Sequence, residues 1–143
     1  MNITPEEILE YWFSDRIKKQ WFSSTPELDQ EIYQKFAEIW RDASAGKLEA
    51  WHETPEGCLA LVILLDQCPL NMFRGEPKSF STEGQARDIA RQAIKQGFDK
   101  ALQSEQRAVL YMPFMHSENE VDQEYSVKLY QEANLKENLY FAK

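Results

Sequence analysis

The segment that most constrains this chain runs from Pro55 to Gly75, PEGCLALVILLDQCPLNMFRG. Between Cys58 and Leu65 it is apolar nearly all round a helical wheel, so a helix here must be covered by neighbours on several sides. Thr54-Pro55-Glu56 opens it as a helix: the threonine caps orphan N–H groups, and proline suits the first helical position. The branched run would also suit a strand, but that start signal and the lack of any partner strand favour a central buried helix. Asp66, Gln67, Asn71 and Arg74 follow the apolar run directly, which places them at the edge of a core. Pro69 is expected to end the regular helix, and Gly75 with Pro77 to bend the chain.

The same start recurs at Thr4-Pro5-Glu6-Glu7 and at Thr25-Pro26. Behind the first, Ile8, Tyr11 and Trp12 fall at helical spacing. Behind the second, Leu28, Ile32, Phe36, Ile39 and Trp40 form one stripe that stops at Gly46. Residues 15–24 read as a linker whose Trp21 and Phe22 plug the core, and Leu48 and Trp51 plug it from the next connection. Ser81 or Thr82 caps a helix with Ala86, Ile89, Ala90, Ala93 and Ile94 inside. Ser104 opens another, which Pro113 kinks or ends. Ser117-Glu118-Asn119-Glu120 reads as a capping box before a last helix carrying Val121, Tyr125, Val127, Leu129 and Tyr130. Residues 137–143 read as a tail. The expected fold is all-α, about six helices in antiparallel pairs, as a single domain over residues 1–143.

Charge narrows the partners. The formal net charge is −8 and the pI about 4.8. Such a surface repels phosphate backbones, so nucleic acid is not an expected partner. No apolar window reaches a membrane span, since Leu59 to Leu65 stops at Asp66. The acidic N-terminus, MNITPEE, lacks the charge pattern of a signal peptide. Cys58 and Cys68 sit ten apart on one helix, about 15 Å of rise, which is too far for a disulfide between them. Two buried free thiols fit a reducing cytoplasm. No Gly-rich phosphate loop, HExxH or GxSxG is present, and no cofactor or metal is expected.

Two motifs resemble those of a bacterial family of unknown function, the one numbered 924, with a fold similar to tetratricopeptide-repeat proteins. The first is Asp66-Gln67-Cys68-Pro69-Leu70-Asn71-Met72-Phe73-Arg74-Gly75, where the family pattern is Asp-Gln-Phe-Pro-Arg-Asn, an aromatic or aliphatic residue, then Arg-Gly. The second is Met112-Pro113-Phe114-Met115-His116-Ser117-Glu118, followed by Asp122-Gln123. Ile8-Leu9, Trp12-Phe13, Trp21-Phe22 and Phe80-Ser81-Thr82 are also similar. The resemblance implies a tetratricopeptide-like right-handed helical array and a site location, and no activity. Cys68 and Leu70 stand where the family has Phe and Arg, which takes one cation from the implied site. The family pattern also continues to a Phe-Gly-Arg-Phe-Pro-x-Arg-Asn motif that does not occur before Lys143.

The candidate ligand-binding residues are Asp66, Gln67, Asn71, Arg74, His116, Ser117 and Glu118, with His116 and Asp66 the candidates for catalysis. His116 is one of two histidines, the residue type whose ordinary pKa lies closest to neutral; His52 sits in a polar link. The polar residues at the exit of the buried helix also have a plain use, which is to satisfy orphan backbone groups. Because helix ends gather at one rim of an antiparallel array, Asp66, Asn71, Arg74 and His116 are expected to meet there. The leading reading is a helical binding module for a peptide or small polar molecule. Its rival is a small hydrolase-like enzyme with His116 as general base.

Overall fold

The computed structural model describes residues 3–133 of the chain. It is built from helices, with no strand among the described residues. In chain order these are α1 (Pro5–Trp12), the short α2 (Asp15–Lys18), α3 (Pro26–Ser44), α4 (Pro55–Val62), α5 (Cys68–Met72), α6 (Glu83–Lys95), α7 (Ser104–Met115) and α8 (Glu120–Glu132), with 3-10 turns at Glu49–Glu53, Pro77–Phe80 and Phe98–Ala101. The three Thr-Pro starts work as their chemistry dictates. The hydroxyls of Thr4, Thr25 and Thr54 accept from the backbone N–H groups of Glu7, Leu28 and Gly57, each satisfying a donor the helix cannot.

The segment Pro55–Met72 is the axis of the molecule. Residues 57–66 are all buried, with α1 and α6 packed on α4 and α3 packed on α5. Gly57 permits the close approach of the preceding turn, since a Cβ there would stand 2.0 Å from the Trp51 carbonyl oxygen. Against expectation, Pro69 does not end this helix. A single π turn, Ile63–Gln67, joins α4 to α5, and the helix runs past the proline to Met72. Wider winding lets the Cys68 N–H reach the Ile63 carbonyl. Proline's missing N–H frees the Leu65 carbonyl, and the buried Thr82 hydroxyl donates to it at 2.6 Å. The Trp40 indole N–H in turn donates to Thr82 at 3.3 Å. Thr82 still stands before α6, but its side chain makes no cap bond there.

Other expectations are corrected. The stretch read as a linker contains α2, capped by Ser14. Trp21 packs on Trp12 and Phe13, whereas Phe22 is 77% exposed; adjacent side chains on an irregular stretch point apart. Val121 is exposed as well; α8 buries Leu129 and Tyr130 as expected, and Ser126 with them. Pro113 lies inside α7, which continues to Met115. The capping box before α8 is replaced by Asn119, whose side chain accepts from the Val121 N–H. The tail at 137–143 lies outside the described residues.

Two stability outcomes follow. Leu64→Ala or Leu65→Ala removes a fully buried side chain and should cost roughly 2–5 kcal/mol; unchanged urea midpoints would show that this helix is not central. Thr82→Val keeps the shape but strands the Leu65 carbonyl and the Trp40 N–H, at a cost of about 1–3 kcal/mol. An unaltered urea midpoint at constant m would rule that role out.

Candidate functional site

Asp66 sits in the π turn at the end of the apolar run and is 1% exposed. A carboxylate so placed needs hydrogen-bond donors. The Gln67 amide supplies one at 2.8 Å. The other comes from a distant part of the chain. His116 stands at the C-terminal end of α7, and its Nδ1 lies 3.0 and 3.2 Å from the two Asp66 oxygens. With a carboxylate on that side, Nδ1 carries the proton and Nε2 is left free. Nε2 has no partner among the described residues, and the His116 side chain is 29% exposed.

The exposed part of the ring contributes to a cleft of about 570 Å³, shared with Phe80, Glu83 and Arg87 on one side and Ser117, Glu118, Asn119 and Asp122 on the other. Ser117 is buried and donates to Asp122 at 2.8 Å; its carbonyl accepts from the Gln123 amide at 2.7 Å. These bonds fix the turn that presents His116. Burial works against the imidazolium, but the Asp66 hydrogen bond and charge, with the Glu83 charge, outweigh it, so His116 is held above its ordinary 6.5. Burial also lifts the Glu83 carboxyl, reinforced by the Asp66 charge and opposed by His116 and Arg87.

Asn71 and Arg74 do not join this site. Because α5 continues the helix, the five residues from Asp66 to Asn71 turn it by roughly 140° on ordinary winding. Asn71 thus faces α3. Its amide donates to Asp29 at 2.8 Å and to Ser24 at 3.1 Å. Arg74 donates to both oxygens of the same Asp29, at 2.7 and 3.2 Å. Burial raises the Asp29 pKa, but the bonds from Arg74, Asn71 and Ser24 and the Arg74 charge prevail and leave it below the ordinary carboxylate value. This second cluster ties the start of α3 to the end of the central helix beside a depression of about 360 Å³. The expected four-residue meeting is therefore two separate pairings, Asp66 with His116 and Asp29 with Asn71 and Arg74.

The profile described as "Bacterial protein of unknown function (DUF924)" matches residues 8–141. The chain belongs to the DUF924 family. A solved structure of the protein of unknown function ATU0120 from Agrobacterium tumefaciens is 32% identical to it, with a TM-score of 0.90 over 96% of this chain and 77% of that one. No curated protein matches.

In this DUF924 chain, Gln67 and Ser117 support the dyad, and Glu118 is exposed at the rim of the cleft. Glu83, Arg87 and Phe80 were not legible as site residues. Glu83 and Arg87 stand at i and i+4 on an amphipathic helix, which reads as a solvated face. A third polar cluster was also missed: the Tyr111 hydroxyl donates to the buried Asp99 at 2.5 Å and accepts from Arg107 at 2.6 Å. Cys68 is fully buried, and burial pushes its thiol far above the ordinary range, which makes it a poor nucleophile. Burial likewise raises Cys58, to about 11. Among the described residues no group of three or more His, Cys, Asp and Glu side chains is placed to hold a metal ion, and no helix is long and apolar enough to cross a membrane.

The dyad makes a pH prediction. A raised folded pKa on His116 contributes stability that is fully present below about pH 6.5 and is lost as pH rises through the folded value. Asp66→Asn should lower the His116 midpoint in an NMR titration and flatten the pH dependence of unfolding above about pH 6. Identical His116 titrations in the two proteins would exclude the coupling.

Proposed function

We propose that this protein is a helical binding domain that holds a small polar molecule in the cleft above His116. The observation that carries this reading is the Asp66–His116 pair. A buried carboxylate fixes Nδ1 and leaves Nε2 as the ring nitrogen with no partner among the described residues, beside a cleft of about 570 Å³. That volume is within the usual range for small-molecule sites. Gln67, Ser117 and Glu118 support or border the same place. A peptide segment is the second candidate ligand, accommodated if the helices form a tetratricopeptide-like array. The continuous core supports a single domain, the acidic surface disfavours nucleic acid, and two buried free thiols fit the cytoplasm.

A second reading is favoured by the same pair. An imidazole oriented by a buried carboxylate is the arrangement of a general base that activates water, with Asp66 as the positioning group. The unused Nε2 would accept the proton. Asn71 and Arg74 take no part in either reading, since Asp29 holds both.

Thermal unfolding against a panel of small polar molecules tests the first reading. At least one compound should raise the Tm of wild type and leave His116→Ala unmoved, because binding to the native state alone stabilises it by mass action. Compounds that stabilise both proteins equally would remove His116 from the binding site. Turnover of a hydrolysable substrate that His116→Asn abolishes would move the protein to the second reading.

A further inference from the structure

Arg87 differs from the other well-placed arginines of this molecule. Its side chain is 24% exposed, and its nearest carboxylates are Glu83 at 3.8 Å and Asp122 at 3.9 Å. Both lie beyond hydrogen-bond distance, and none of its N–H groups has an acceptor among the described residues. Arg91, one turn further along α6, donates to Asp122 at 2.9 Å, and Arg74 grips Asp29 at 2.7 Å. A guanidinium offers five donors in a planar fork that matches a carboxylate. Arg87 keeps that fork unused in the wall of the cleft that contains His116.

The same cleft holds two other unmatched groups. Glu118 is exposed at its rim with no ion-pair partner among the described residues. The Phe80 ring is 61% exposed beside it. One cleft thus offers unused donors, an unused carboxylate and an open apolar surface. A phosphate dianion fits poorly, because Glu83, Glu118 and Asp122 line the space and the whole chain carries −8. A plain cation would leave the Arg87 donors unfilled. A zwitterion uses both signs and adds no net charge.

We infer that the cleft binds a small zwitterion of amino-acid type, its carboxylate on the Arg87 guanidinium and on the Nε2–H that His116 carries as an imidazolium, its ammonium on Glu118, and its apolar side chain on Phe80. This rests on the reading of the cleft as a small-molecule site.

The test measures dissociation constants and His116 ring-proton shifts by NMR, with L-phenylalanine, 3-phenylpropionate, 2-phenylethylamine and inorganic phosphate as probes. L-Phenylalanine should bind at least about tenfold more tightly than either single-charge analogue. Arg87→Gln, checked for an unchanged circular-dichroism spectrum, should weaken L-phenylalanine and 3-phenylpropionate about tenfold and leave 2-phenylethylamine within about twofold. The inference is overturned if phosphate binds most tightly, if 2-phenylethylamine equals L-phenylalanine, if Arg87→Gln has no effect, or if no probe binds. Should no probe bind while a compound from the wider panel still stabilises wild type and not His116→Ala, only the zwitterion is wrong. Silence in both experiments removes the cleft reading as well.

Discussion

Burying the Asp66 carboxylate is the constraint on which the arrangement of the site depends. A carboxylate at 1% exposure, directly behind Leu64 and Leu65, is destabilising unless donors surround it. Gln67 supplies one donor from the next position in the chain, but the other has to come from elsewhere in the fold. That requirement brings the end of α7 against the middle of the central helix and sets which face of the imidazole meets protein and which meets the cleft. The bonds that fix the following turn, from Ser117 to Asp122 and from Gln123 to the Ser117 carbonyl, keep His116 in register with Asp66.

The π turn and the proline behind it serve the same end. A π turn adds a residue to one turn of helix and shifts the side chains that follow. Here it carries Asp66, and it brings Pro69 into a helix that would otherwise break. The carbonyl that proline leaves free lies deep in the core, where water cannot satisfy it. Thr82, held in turn by Trp40, satisfies it and so links α3, the central helix and the start of α6. That link also sets the position of Glu83 and Arg87 in the cleft wall, because both follow Thr82 within the first turns of α6. Site and scaffold are thus joined through one side-chain hydroxyl.

Asn71 and Arg74 show how a motif contiguous in sequence divides in space. They close on Asp29, a residue of the first turn of α3, and clamp the far end of the central helix. Leu70 is half-buried, and Cys68 is sealed in the core. The two family motifs therefore meet through Asp66 and His116 and through the Gln67 amide, which donates to the Met112 sulfur at 3.3 Å, while Asn71 and Arg74 hold the helix in place.

The sequence by itself determined the long helices and the three Thr-Pro starts. Thr-Pro caps, the 3.6-residue stripes of α3 and α6 and the all-round apolarity of Cys58 to Leu65 are local patterns, and local physics reads them. It also singled out Asp66 and His116, since a carboxylate after a buried run and a histidine at a helix end both need an account. The gathering of helix ends at one rim led to the expectation that these two meet along with Asn71 and Arg74; only the tertiary structure decided that Asp66 pairs with His116 while Asn71 and Arg74 turn to Asp29. Whether Pro69 breaks the helix depends on the Thr82 hydroxyl, 17 positions along the chain from the Leu65 carbonyl it satisfies, and the identity of the cleft residues depends on which surfaces α6 and α8 bring together. Those outcomes are set by contacts between segments distant in the chain, where periodicity and capping carry no information.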